Sequence, residues 1–260
     1  MKVTILGSGP SSGVPTIHEG FGDCDPDNPK NVRLRPSILV EEGETRVLVD
    51  TSPDLRQQLL TAGVRRLDAV LYTHGHADHL HGIDDLRGIN KAMHASLPVY
   101  TDKTTMDLIE TRYGYTTTPL PPDVDIYYKP VLDMREIKPG DAFSVGALEI
   151  LAFDQDHGFM RTLGFRFGAL GYSTDLLDMP EESFQALEGM KTWIIGVFQL
   201  NPHKTHLHVE KALSFIDRVK PERAILTHLG PSIDYGRLSA ELPTGVEAAF
   251  DGMVIEVPGL

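Results

Sequence analysis

Apolar residues alternate with polar ones in several short runs of this chain, and most runs stop at a cluster of Gly, Pro, Asp or Ser. Lys2 to Leu6 is the first, closed by Gly7-Ser8-Gly9-Pro10. Ile38 and Val40, then Val47 and Val49, alternate across Glu42-Gly43-Glu44, which predicts a hairpin over 37–41 and 45–50. Ala69 to Tyr72 is continuously apolar, the pattern of a strand buried on both faces. Further strands are predicted at 98–101, 135–137, 142–145, 148–153, 163–167, 170–173, 192–198, 223–227, 246–248 and 253–257. Helices are predicted over about 82–95, 103–112, 181–188 and 208–219. Ser52-Pro53-Asp54 reads as another helix start, with a capping serine and a proline in the first turn, and Gly63 as its end. Residues 14–36 and 113–129 follow neither period and read as long surface or cleft loops.

Strands and helices thus alternate, and the two halves share one pattern without a repeat at the level of sequence. Two mixed sheets packed together, with helices outside, satisfy this order as one α/β domain over 1–260. Hydrophobic content of 41% and charged content of 23% suit a soluble globular protein. No apolar run approaches about 18 residues and no signal peptide is evident, so a cytoplasmic location and no membrane partner are expected. Cys24, the single cysteine, excludes an internal disulfide and suits a reducing compartment. Thirty-seven acidic against 24 basic residues give a formal charge of −13, which disfavours long nucleic acid but not a small phosphate ester beside cations. The same balance also serves plain solubility.

The densest chemistry lies in Thr73-His74-Gly75-His76-Ala77-Asp78-His79, directly behind the apolar run. Gly75 lets the backbone turn, so His74 and His76 can converge on one point while Asp78 and His79 face a second. Imidazole and carboxylate together suit Zn, Mn or Fe, and a dinuclear metal site is the hypothesis. His157, Asp175 and His228 each follow a predicted strand, where such ends gather along one edge. Taken singly, either histidine is also a satisfied core residue. Asp50 either accepts from a ligand histidine or merely leads the next helix. The Gly7 to Gly13 loop offers N–H groups to an anion, with Ser8, Ser11 and Ser12 as phosphate contacts.

The opening motif, with single His, Asp and His residues at distant strand ends, resembles the metallo-β-lactamase superfamily of dinuclear metallohydrolases. Three segments are similar to its phosphoribosyl cyclic phosphodiesterase-like branch: His79-Leu80-His81-Gly82-Ile83-Asp84-Asp85-Leu86-Arg87, Tyr172-Ser173-Thr174-Asp175 and Leu226-Thr227-His228. The resemblance implies a four-layer αββα sandwich and two divalent ions, Zn or Mn with Fe admissible. It implies one ion on His74, His76 and His157, a second on Asp78, His79 and His228, and Asp175 between them. His206 matches a histidine acting beside the metals as general acid or transition-state contact, with a helix-entry residue as the competing reading. His206 and Asp78 are the expected catalytic residues. A small cyclic phosphodiester, a 2′,3′-cyclic nucleotide or a ribosyl 1,2-cyclic phosphate, is the expected substrate, hydrolysed by metal-held hydroxide attacking phosphorus. Arg87, Arg161, His203 and Lys204 are possible phosphate contacts. The resemblance alone suggests a homodimer.

One departure stands out. Relatives in this branch carry several cysteines after the first glycine-rich loop, where they hold a structural zinc. Phe21-Gly22-Asp23-Cys24-Asp25-Pro26-Asp27 has one, so no structural zinc is expected and other contacts must hold this loop. Asp23, Asp25 and Asp27 form either an oxygen-rich cation site or a solvated acidic turn. Two other functions compete: metal-dependent hydrolysis of a lactone, lactam or thioester, and metal binding without catalysis.

Overall fold

The alternation at the start of the chain produces an antiparallel meander. In this computed structural model, which describes residues 1–124 and 126–258, β1 (Lys2–Gly7), β2 (Ser37–Glu42) and β3 (Thr45–Val49) pair in sequence. The run that is apolar throughout becomes β4 (Ala69–Leu71), parallel to β3 and to β5 (Leu97–Thr101), as expected of a strand covered on both faces. With β6 (Leu132–Glu136) and β14 (Val254–Glu256) at the edges, the order is β14-β1-β2-β3-β4-β5-β6. The second sheet repeats this plan. β7 (Ala142–Val145), β8 (Leu148–Asp156), β9 (Arg161–Phe167) and β10 (Leu170–Ser173) are antiparallel; β11 (Thr192–Gly196), β12 (Arg223–Thr227) and β13 (Val246–Ala248) continue in parallel. Each sheet therefore has seven strands, antiparallel over one half and parallel over the other.

Strand periodicity assigns the faces. Val47 and Val49 join Val3, Ile5, Phe165, Tyr172, Ile194 and Ile225 between the sheets, whereas Leu48 points away. That outer face packs Leu48, Val70 and Val99 against α1 (Leu55–Thr61), α3 (Leu86–Met93) and α4 (Lys103–Thr117). The other outer face packs Trp193, Ile195 and Leu226 against α5 (Glu181–Ala186), α6 (Val209–Val219) and α7 (Tyr235–Glu241). The layers are thus helices, sheet, sheet, helices. Among the described residues no helix is long and apolar enough to cross a membrane.

Several boundaries differ from those predicted. Ser52 does not cap α1: its hydroxyl accepts from Asp54 N–H and bonds the Gln58 side chain, so the helix starts at Leu55. Residues 82–95 divide into a 3₁₀ turn, Ile83–Asp85, and α3, ended by His94 at φ 51°. Residues 113–117, predicted as loop, continue α4 past a non-helical Tyr113, and Asp125 of that loop lies outside the described residues. The predicted strand 135–137 lies at Leu132–Glu136.

Candidate metal centre

The parallel strands end along one edge, and the polar residues emerge there. Asp50 directly follows β3, Asp175 lies two residues past β10, and His228 directly follows β12. All three adopt left-handed backbone, at φ 63°, 51° and 61°. Asp and His tolerate this region better than most residues, and strain of this kind concentrates where side chains must be aimed. His74 lies three residues beyond β4, followed by the four-residue α2 (Ala77–Leu80) that carries Asp78 and His79. Gly75 makes room for α4, since a Cβ there would stand 3.0 Å from Leu108 Cδ1. His157 follows β8 and His206 lies between β11 and α6.

All seven residues predicted as ligands come together in two groups. Donor atoms of His74, His76 and His157 lie within 4.8 Å of one another, as do those of Asp78, His79, Asp175 and His228. Asp175 reaches both groups: its Oδ2 is 3.0 Å from His79 Nε2 and 3.3 Å from His228 Nε2, and its Oδ1 is 3.8 Å from His157 Nε2. His206 Nε2 stands 3.0 Å from the same Oδ1. His74 Nε2 and His228 Nδ1 are buried with no hydrogen-bond partner, and His79 Nε2 and His228 Nε2 face only the carboxylates of Asp78 and Asp175. Donor type, spacing and these unpartnered nitrogens define a constellation for divalent metal.

The opposite ends of the rings are fixed. Asp50 Oδ2 accepts from His79 Nδ1 at 2.6 Å, so in the neutral form of that ring, the form that can bind a metal, Nε2 is the lone-pair atom. The same carboxylate accepts from Thr73 N–H and the Thr73 hydroxyl, 2.8 and 2.9 Å away. His157 Nδ1 donates to the Thr205 carbonyl at 2.7 Å. Burial drives His74 well below the ordinary imidazole value, lowers His76, and takes His157 to about 4, so these rings are neutral donors at neutral pH. For Asp175, burial works upward, but the His228 and His79 imidazoles prevail and hold it well below the usual carboxylate range. Burial opposes charge on His79 too, yet Asp78, Asp175 and Asp50 raise it well above the usual imidazole value.

The remaining predicted contacts divide. His203 joins His206, their Nδ1 atoms 3.3 Å apart, while Lys204 is exposed. Arg161 is committed to Asp154, and Arg87 donates to the Tyr128 carbonyl. Ser8 is turned inward and donates from both N–H and hydroxyl to Asp251, which removes it as a phosphate contact. Asp23, Asp25 and Asp27 are exposed, and Asp25 spends its N–H on Asp234. Two contributors were not predicted. Phe198 packs its ring 5.2 Å from His206 and 6.4 Å from His228, and Thr205 touches several imidazoles. Their one signal in the sequence is their place beside the His203 to His208 run.

Fold and donor set together define a metallo-β-lactamase-type metalloprotein. Residues 45–229 match the beta-lactamase superfamily domain, and the chain belongs to that family. A solved diphosphatase from the PhnP family is 30% identical, with 98% of this chain and 96% of that one covered at a TM-score of 0.88. An octanoyltransferase of Porphyromonas gingivalis is 33% identical over 100% of this chain and 53% of its own length. A ribonuclease Z of a Bradyrhizobium species is 31% identical over 54% of this chain and 46% of its own length. The chain thus spans about half the length of the curated relatives it matches.

Proposed function

We propose that this chain is a dinuclear metal-dependent phosphodiesterase acting as one domain on small phosphodiesters, cyclic nucleotides or ribosyl cyclic phosphates among them. The observation that carries this reading is the meeting of two donor groups at Asp175, with the His206 imidazole 3.0 Å from the same carboxylate. Divalent cations fit the donors, because buried imidazole nitrogens without a partner are costly unless an electron acceptor faces them. His74, His76 and His157 would hold one ion, Asp78, His79 and His228 the other, and Asp175 both. Bound there, such ions offset charge on the phosphoryl oxygens and lower the pKa of water toward ~7.

The protein's own groups orient and move protons. Asp78 accepts a hydrogen bond from the attacking water and fixes its direction. His206, as imidazolium, gives its Nε2 proton to the leaving oxygen and keeps Nδ1–H directed at the Thr205 hydroxyl, 2.8 Å away. Likeness to the diphosphatase over nearly the whole of both chains supports a phosphate substrate. Formal charge of −13 favours a small one.

Similarity to the octanoyltransferase, over about half of that protein's length, favours a second reading, hydrolysis of an acyl bond in a lactone, lactam or thioester. One panel separates the two. The protein is loaded with Zn²⁺ or Mn²⁺ and assayed on an aryl phosphodiester, 2′,3′-cyclic nucleotides, a ribosyl 1,2-cyclic phosphate, a lactam and a thioester. Turnover of phosphodiesters is expected, with a loss of about 10²- to 10⁴-fold in kcat for His206→Ala at unchanged metal content. Activity on lactam or thioester alone overturns the phosphodiesterase reading. Full turnover by His206→Ala on every phosphodiester removes the role given to His206.

A further inference from the structure

Thr205 uses each of its three polar groups on a different imidazole. Its carbonyl accepts from His157 Nδ1 at 2.7 Å, its hydroxyl meets His206 Nδ1 at 2.8 Å, and its backbone N–H donates to His203 Nδ1 at 3.3 Å. The hydroxyl also lies 3.2 Å from that His203 nitrogen. Carboxylate oxygens only accept, so the Asp175 contact at 3.0 Å places the proton of His206 on Nε2. Nδ1 of the neutral ring is then an acceptor, and the Thr205 O–H donates to it. One hydroxyl thus fixes the orientation of the His206 ring from the side opposite Asp175.

Two further features keep this residue in place. Gly158, at φ 81°, has no Cβ; one built there would stand 2.7 Å from the Lys204 carbonyl oxygen and 3.0 Å from Thr205 Cγ2. The loop can therefore close onto the turn that carries His157. The Phe198 ring, 5.1 Å from His203 and 5.2 Å from His206, packs against both rings.

We infer that Thr205 is a positioning residue for this centre: its hydroxyl orients His206 toward the bound ester, and its carbonyl fixes the His157 ring with Nε2 on the side of Asp175. The hydroxyl's part rests on the proposed role of His206. Thr205→Val removes only the hydroxyl and keeps the shape and both backbone groups, whereas Thr205→Ser keeps the hydroxyl. Expected for Thr205→Val is a fall in kcat of about 10- to 100-fold, the size typical of lost orienting contacts, with KM and metal content unchanged and activity restored in Thr205→Ser. In the Zn-loaded protein, the ¹⁵N resonance of His206 Nδ1 should shift in Thr205→Val, and that of His157 Nδ1 should not. If Thr205→Val keeps both kcat and the His206 resonance, or if Thr205→Ser falls with it, the inference fails. The resonance needs no substrate, so it judges Thr205 even if the panel shows no phosphodiester cleavage.

Discussion

Asp50 shows how much one buried carboxylate decides. It is fully buried, held at φ 63° past the end of β3, and its oxygens accept from Thr73 N–H, the Thr73 hydroxyl and His79 Nδ1. An amide in its place retains one acceptor, for Thr73 N–H, and turns an NH₂ group toward His79 Nδ1. Two donors would then face each other, so the imidazole must take its proton on Nε2, the atom that faces Asp78 and Asp175 at 3.2 and 3.0 Å. Asp50→Asn is therefore expected to weaken metal binding by about 10- to 100-fold while the fold persists. Competition with a chelator of known affinity measures it, and an unchanged affinity would show that Asp50 does not set the tautomer. Placement at a strand end was legible for Asp50, as for His157, Asp175 and His228. The left-handed backbone that aims three of these four was not, because neighbouring residues along the chain do not reveal it.

At the scale of elements, the loop before β2 is fastened to the loop after His228 through a buried cation. Arg33 is 1% exposed and donates to the Leu229, Gly230 and Ile233 carbonyls and to Asn31 Oδ1, at 2.8 to 3.1 Å. Cys24, buried beside it, shares its one S–H between the Pro231 and Ile233 carbonyls, 3.3 and 3.2 Å from Sγ. Arg33→Leu would leave these acceptors buried without donors, and a loss of at least about 3 kcal/mol in a denaturant titration is expected. A loss below about 1 kcal/mol would mean that the two loops hold together by other means. Nothing periodic in residues 14–36 announces this contact, since its partners lie some 200 positions along the chain. β2 and β3 were legible because their alternation is local, and β4 because an unbroken apolar run marks a strand covered on both faces. The end of α4 was not: Thr116 and Thr117 bond to carbonyls of their own turn, and a Thr- and Tyr-rich run reads as non-helical although Tyr113 packs against the core.

Across the whole molecule, the sheet order brings the two ends of the chain together, β14 against β1, and one carboxylate secures the join. Asp251 accepts from Ser8 N–H and hydroxyl through Oδ1 and from Leu34 N–H through Oδ2, at 2.7 to 2.8 Å. The two-sheet plan was legible from the order of strands, but this join was not, because the contact is 243 residues long. Burial pushes the Asp251 carboxyl up to about 6, and the three hydrogen bonds, which favour the charged form, only partly offset it. A carboxyl raised in the folded state holds its proton there after the unfolded chain has released it near ~3.9, so this group destabilises the fold as pH rises from there to about 6. The shift corresponds to about 3 kcal/mol, lost across that window and constant above it. The Asp78 and Asp175 contributions run the other way, since both carboxyls are lowered in the fold, so the wild-type curve alone does not isolate Asp251. Subtracting the curve of Asp251→Asn does isolate it: between pH 4 and 7 the variant should gain on the wild type by up to about 3 kcal/mol in unfolding free energy. Its amide presents an NH₂ group to Leu34 N–H, so it starts from lower stability at pH 4, at a cost of about 1–3 kcal/mol. A difference that stays flat with pH would place the Asp251 carboxyl at its ordinary value and leave its three hydrogen bonds as strong enough to cancel burial.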